Sequence, residues 1–239
     1  GIPHHAYATY VDQLIEKGYK VAICEQLEDP KLTKGMVKRD VIQVVTRGTR
    51  LDDRVDAKSN NYIANIYDFN YCYGISYTDI STGEFYALVV ERDDYSVIRE
   101  VVRNGFSEVI VNDQIDRNLV NTLRTNYGVL VTITKELCEN ELYSYIYSGV
   151  EDERIIITIK HLLSYIIDTK KKELTHLQRV EVIRSNDHLL FDGNTKRNLE
   201  LTETLRNRDR MYSLLWLLDK NKTAMGSRFL KYNIENPLT

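Results

Sequence analysis

Between Tyr62 and Ile133 the apolar residues switch repeatedly between a two-residue and a helical period, and this alternation restricts the chain to a sheet covered by helices. Tyr62 to Phe69, Tyr73 to Asp79 and Glu84 to Val90 read as strands, the last two joined by Ser81-Thr82-Gly83 as a hairpin turn. Tyr95 to Asn104 sets Val97, Ile98, Val101 and Val102 on one side of a helix, and Glu108 to Val111 reads as a short buried strand. Ile115, Leu119 and Leu123 mark a second helix, and Val129 to Ile133 a further strand. The order β-β-β-α-β-α-β predicts a mixed sheet and an α/β domain over residues 61–154.

The flanks read differently. Tyr7, Tyr10, Val11, Leu14 and Ile15 fall at helical spacing, with Gly18 where a C-terminal cap belongs. Lys20 to Cys24 reads as a buried strand, Leu27 to Gly35 as a polar connection containing Pro30, and Val37 to Thr46 as a valine-rich strand. Residues 1–50 are thus a partial α/β unit. Residues 47–60 carry almost no large apolar group and predict a linker, its centre at 51–60. After 154 the pattern turns helical. Ile155, Ile159, Leu162, Leu163, Ile166 and Ile167 form one wide stripe, and Lys170 to Lys172 place cations at the helix end where the dipole favours them. Leu177 to Phe191 reads as extended around Ser185-Asn186-Asp187; helices are expected at about 194–206, 211–220 and 222–234, stopped by Pro237. Residues 155–239 therefore predict the opening of an all-α domain, and a chain starting at Gly1 and ending there reads as a piece of something longer.

Charge follows these divisions. Residues 1–50 hold 8 basic and 6 acidic side chains, 51–150 hold 8 and 16, and 151–239 hold 16 and 13. The acidic centre repels phosphate, which makes it a poor surface for nucleic acid. The richest apolar run, Ile155 to Ile167, is interrupted by Thr158, Lys160, His161 and Ser164, so no membrane span is expected. Cys24, Cys72 and Cys138 form no CxxC pair; buried thiols in a reducing, cytoplasmic setting are the expectation.

One constellation suggests chemistry. Asp79 ends a strand before a hairpin, a position at which nucleases of the RNase H fold keep a metal-binding carboxylate. With Glu100 and Asp113 it would supply the acids that a two-metal nuclease needs. Each acid also has an ordinary explanation, since Asp before Ser-Thr-Gly is turn chemistry, Asp113 follows Asn112 in another turn, and Glu100 is one of many helix acids. The five histidines show no HExxH spacing, and neither GxxxxGK[ST] nor GxGxxG occurs, so no metal or cofactor is expected in this chain. Lys170 to Lys172, Lys196-Arg197 and Arg206 to Arg210 could meet phosphate, although exposed charge is normally solvation.

Several blocks together resemble one family. Gly1-Ile-Pro-His-His-Ala6, Gly18-Tyr-Lys-Val-Ala-Ile-Cys-Glu-Gln26, Lys34-Gly-Met-Val-Lys-Arg39 and Val44-Val-Thr-Arg-Gly-Thr49 resemble the end of the mismatch-recognition domain of the MutS family of DNA mismatch repair proteins. Asp79-Ile-Ser-Thr-Gly83 is similar to the hairpin of the family's connector domain. His176-Leu-Gln-Arg179, Asp192-Gly-Asn-Thr-Lys-Arg-Asn-Leu-Glu-Leu201, Ser213-Leu-Leu-Trp-Leu-Leu-Asp219, Thr223-Ala-Met-Gly-Ser-Arg228 and Glu235-Asn-Pro-Leu238 resemble the start of its helical core. The blocks keep the family's order; residues 136–154 match none of them.

The resemblance implies an RNase H-like connector that is not catalytic, joins the recognition domain to the core and helps receive the partner MutL. It implies a dimeric parent that binds mismatched double-stranded DNA and uses ATP with Mg. The family's Phe-x-Glu mismatch wedge would lie before Gly1, and the clamp and P-loop ATPase after Thr239, so the resemblance places no DNA-reading or ATP-hydrolysing residue here. His4 stands where the family usually has Tyr, Arg47 where it has Pro, and Tyr232-Asn233 where Arg-Trp is common. The first two are expected to loosen local packing, and the last to remove whatever contact Arg or Trp makes.

Overall fold

A computed structural model describes residues 2–3, 6–28, 36–49, 60–183, 193–235 and 237. His4, the connection around Pro30, the centre of the linker and the turn at Ser185 to Asp187 lie outside them. The chain opens with helix α1 (Tyr7–Glu16) and the strands β1 (Val21–Gln26) and β2 (Arg39–Val45), an antiparallel pair whose register shifts between Ile23 and Cys24. Ile15 anchors α1 with 2% of its surface exposed. Contrary to the sequence expectation, β1 is not buried: its residues alternate half-buried and exposed, then remain exposed. A two-stranded ribbon has too little neighbouring surface to cover both faces.

The central unit is a six-stranded sheet in the order β7-β6-β3-β4-β5-β8. Strands β3 (Tyr62–Asp68), β4 (Cys72–Asp79) and β5 (Phe85–Glu91) run antiparallel; β6 (Glu108–Val111) joins β3 in parallel and β7 (Leu130–Ile133) joins β6 in parallel. The mixed sheet read from the periodicity is present, with a short parallel strand β8 (Glu181–Val182) added beside β5. Helices α2 (Asp94–Asn104) and α3 (Arg117–Tyr127) are capped by Asp93 and Asp116 and closed by left-handed Gly105 and Gly128. They cover the face bearing Ala64, Ile66, Ile75, Tyr77, Val109 and Val111.

The other face carries Ile63, Phe85, Ala87 and Ile110, as strand alternation requires. Its cover is α4 (Glu153–Lys170), which buries Ile155, Ile159, Leu162, Leu163 and Ile166 at roughly 1.5–3 kcal/mol each. Residues 141–147 form a 3-10 helix in the same layer, burying Tyr143 and Ile146. A domain boundary at 154 therefore does not follow the packing, because α4 is half the core of the sheet it would be cut from. The change of period at 155 marks a new layer, not a new domain. Gly74 permits the close approach: a Cβ there would lie 2.2 Å from Thr158 Oγ1.

Beyond β8 come α5 (Gly193–Asn198), α6 (Leu214–Leu218) and α7 (Ala224–Glu235). The first two are shorter than the spacing predicts. Glu200, Arg208 and Tyr212 adopt positive φ, and Leu199 and Leu205 are exposed, so no buried stripe drives a helix through 199–213. Among the described residues no helix is long and apolar enough to cross a membrane.

Candidate functional site: the junctions on the central sheet

The carboxylates of the nuclease reading do not converge. Asp79 pairs with Tyr62 at the start of β3, whereas Asp113 lies beyond Val111, the partner of Ile66. The rise from Tyr62 to Ile66 alone separates them by ~13 Å, against the ~4 Å between metals in a two-metal site. Asp79 is a turn acid that accepts from the amides of Asn61 (3.0 Å) and Ser81 (2.8 Å) and from Ser81 Oγ (2.6 Å). Glu100 is buried on α2 beside Arg99 and Arg103, and Asp113 pairs with Lys135. Among the described residues no group of three or more His, Cys, Asp or Glu could hold a metal. Asp68, a buried acid at the Asp113 end of the sheet, is held by Arg92 through two hydrogen bonds of 3.0 and 2.9 Å.

What the fold brings together instead is a polar junction between the N-terminal unit and the sheet. Glu108, on the α4 face of β6 with Ile110, is fully buried. Its Oε1 accepts from Tyr165 of α4 at 2.6 Å, and its Oε2 from the Gly48 amide at 3.2 Å. Lys20 lies 3.9 Å from Oε1 and donates to Tyr165 Oη at 2.9 Å and Thr132 Oγ1 at 2.7 Å. Burial lowers the Lys20 pKa against the opposing pull of Glu108, and burial with Glu108 beside it raises that of Tyr165.

The turn following β2 is fixed on the same sheet. Thr46 and Thr49 exchange amide-to-hydroxyl hydrogen bonds of 3.0 and 3.2 Å, and buried Lys170 donates to the Thr49 carbonyl. Burial, assisted by Lys172, brings the Lys170 amine down to about 8. A Cβ on Gly48 would come within 2.9 Å of Ile63 Cβ, so this turn presses directly against β3. Arg47 donates to the carbonyls of Glu16 and Gly128, each at 3.1 Å, bridging the C-terminal ends of α1 and α3 where a cation is favoured. The expected loosening at Arg47 is therefore reversed, and residues 47–49 belong to a packed turn rather than to the linker.

A second junction leaves from the opposite edge. After α4 the chain passes the β4–β5 hairpin, where His176 Nε2 meets the Ile80 carbonyl at 2.6 Å and the Gln178 amide donates to Gly83 O at 2.7 Å. Tyr232 of α7 then stacks on Tyr86 (6.4 Å between centroids), Tyr86 on Tyr77 (5.1 Å), and Tyr62 meets Tyr77 edge-on (5.1 Å). Tyr232 thus makes a contact of its own with the sheet unit. Burial raises the pKa of all four phenols, keeping the column uncharged.

Sequence reading missed Lys20, Glu108 and Tyr165. The available signal was an acid opening the four-residue strand Glu-Val-Ile-Val; its partners Gly48 and Tyr165 are 60 and 57 residues away, Lys20 is farther still, and they share no local pattern.

The three units separated by these junctions each match a family model. MutS domain I matches residues 1–54, MutS domain II residues 61–178 and MutS domain III residues 194–239. The chain belongs to the MutS family. Relatives named DNA mismatch repair protein MutS include those of Bacillus subtilis (43% identical over 239 residues), Bacillus licheniformis (41% over 239) and Bacillus cereus strain G9842 (40% over 240). Each alignment covers 100% of this chain but only 27–28% of the relative. The domain II match ends at 178, after α4, in agreement with the packing of that helix on the sheet. Both junctions therefore lie where one MutS domain meets the next.

Proposed function

We propose that the chain is the linking portion of a MutS-type mismatch repair protein, carrying strain between a DNA-recognition unit and a helical core. In this reading residues 1–50 are the end of the recognition domain, the sheet unit is an RNase H-like connector, and 194–239 begin the core. The connector label is supported by three antiparallel strands followed by two parallel strands added beside the first. The partial-core label is supported by Tyr212, Leu217, Met225 and Phe229, apolar residues that are exposed around α6 and α7. The cytoplasmic parent would bind mismatched duplex as a homodimer, use ATP with Mg outside these residues, and receive MutL through the connector.

The observation that carries this reading is the buried Glu108, which ties a turn of the first unit to β6 and α4 of the second. Buried polar contacts in a low-dielectric junction are costly to break singly, so the units move together or separate as a step. In the full-length protein, Lys20→Met with Glu108→Leu should leave mismatch binding within about threefold yet change the rate of ATP-induced release by about tenfold, or 1.4 kcal/mol of barrier. Release at the wild-type rate from a variant shown to have a loosened junction would contradict the transmission role. Replacing Asp79 by Asn addresses the nuclease alternative: Mg²⁺-dependent cleavage by the wild type that the variant lacks would restore it.

A further inference from the structure

A cleft of about 390 Å³ opens between the C-terminal end of α2, residues 197–208 and α7. Its charged lining is Arg103, Arg197, Arg208 and Lys231 against Glu203 and Glu235, an excess of two cations. Arg103 and Glu235 have partners of their own. The side chains of Arg197, Arg208 and Lys231 make no hydrogen bond or ion pair among the described residues. Isolated exposed cations need no explanation beyond solvation. Arg197 on α5, Arg208 in the loop that follows it and Lys231 on α7 line one concavity, where their like charges add to a local positive potential.

The charge and the donor type narrow the ligand. Guanidinium forks match the oxygens of a phosphate, and two of the three cations are arginines. A phosphate monoester carries about −1.5 to −2 charges at neutral pH, which balances the excess of two, whereas an internal diester carries about −1. The volume falls within the roughly 300–1,000 Å³ of small-molecule sites. We propose that this cleft binds a phosphomonoester of mononucleotide size, with Arg197 and Arg208 gripping the phosphate and Lys231 adding charge. The group could be carried by a free nucleotide or by the terminal phosphate of a nucleic-acid strand.

Titration of the 239-residue chain at low ionic strength, followed by calorimetry and amide shifts, tests this. Adenosine monophosphate should bind saturably with adenosine inert, Arg197→Glu with Arg208→Glu should weaken binding at least about tenfold, and Lys222→Glu outside the cleft should stay within about twofold. A short duplex with a 5′-phosphate that outcompetes the mononucleotide, and exceeds its unphosphorylated form, would support the site and assign the source to a strand end. Equal binding of phosphorylated and unphosphorylated duplex, with the mononucleotide still saturating, would support the site and assign the source to a free nucleotide, whereas no saturation by adenosine monophosphate below about 10 mM, or an equal loss in the Lys222 variant, would overturn the proposal.

Discussion

Glu108 joins two units through one carboxylate, one oxygen accepting from the Gly48 amide and the other from the Tyr165 hydroxyl. Truncating it strands the Gly48 amide and the Tyr165 hydroxyl without their acceptor. Glu108→Ala should therefore cost about 2–3 kcal/mol in denaturant unfolding, and a loss below about 0.5 kcal/mol would show that water replaces it freely. Lys170 gives a pH signature. Its folded pKa of about 8 lies below the unfolded 10.5, so between those values the unfolded chain binds the extra proton and stability rises with pH. The difference in unfolding free energy between the wild type and Lys170→Met should shift in favour of the wild type from pH 8 to 10; a flat difference would contradict the buried amine. His161 acts in the same sense at lower pH. Burial lowers its pKa from 6.5, so its neutral form contributes stability above 6.5 that is lost as pH falls through the folded value. His161→Gln should flatten the wild-type decline below pH 6.5, and an unchanged decline would assign it elsewhere.

At the scale of elements, α4 decides how much of the fold was legible. Its stripe from Ile155 to Ile167 announces a helix, and its period is right, but a stripe does not say which surface it meets. Gly74 and Thr158 hold that information, since a glycine in a strand and a threonine in a helix face each other at contact distance. Asn65 and Ser76 also donate to the Thr158 carbonyl at 2.9 and 3.1 Å, which seats the helix on β3 and β4. Gly74→Ala should cost about 1–3 kcal/mol by overpacking, and adding Thr158→Ala should recover part of that loss. Additive losses in the double variant would mean that the two sites do not touch. Strands β3 to β7 of the central sheet were readable because each alternates or is bounded by turn residues, whereas the two-residue β8 is too short to show a period. The shortened helices after 193 were not, since positive φ at Glu200, Arg208 and Tyr212 leaves no mark in the sequence.

For the whole molecule, the charge division between an acidic centre and basic flanks follows the domains that the family matches delimit, while the junctions between them depend on pairs such as Lys20 with Glu108 and Tyr86 with Tyr232. Such pairs are set by tertiary placement, and the sequence shows only their separate members. The two junctions leave one sheet at different edges, with β3, β4 and β5 lying between the 46–49 turn and α7. Glu108 fastens this turn to the sheet through the Gly48 amide, so native-state hydrogen exchange of that amide reads the attachment itself. The amide should be protected in the wild-type chain and exchange at least about tenfold faster in Glu108→Ala, a loss of about 1.4 kcal/mol of local stability. A Gly48 amide that exchanges freely in the wild type, or is equally protected in the variant, would contradict it.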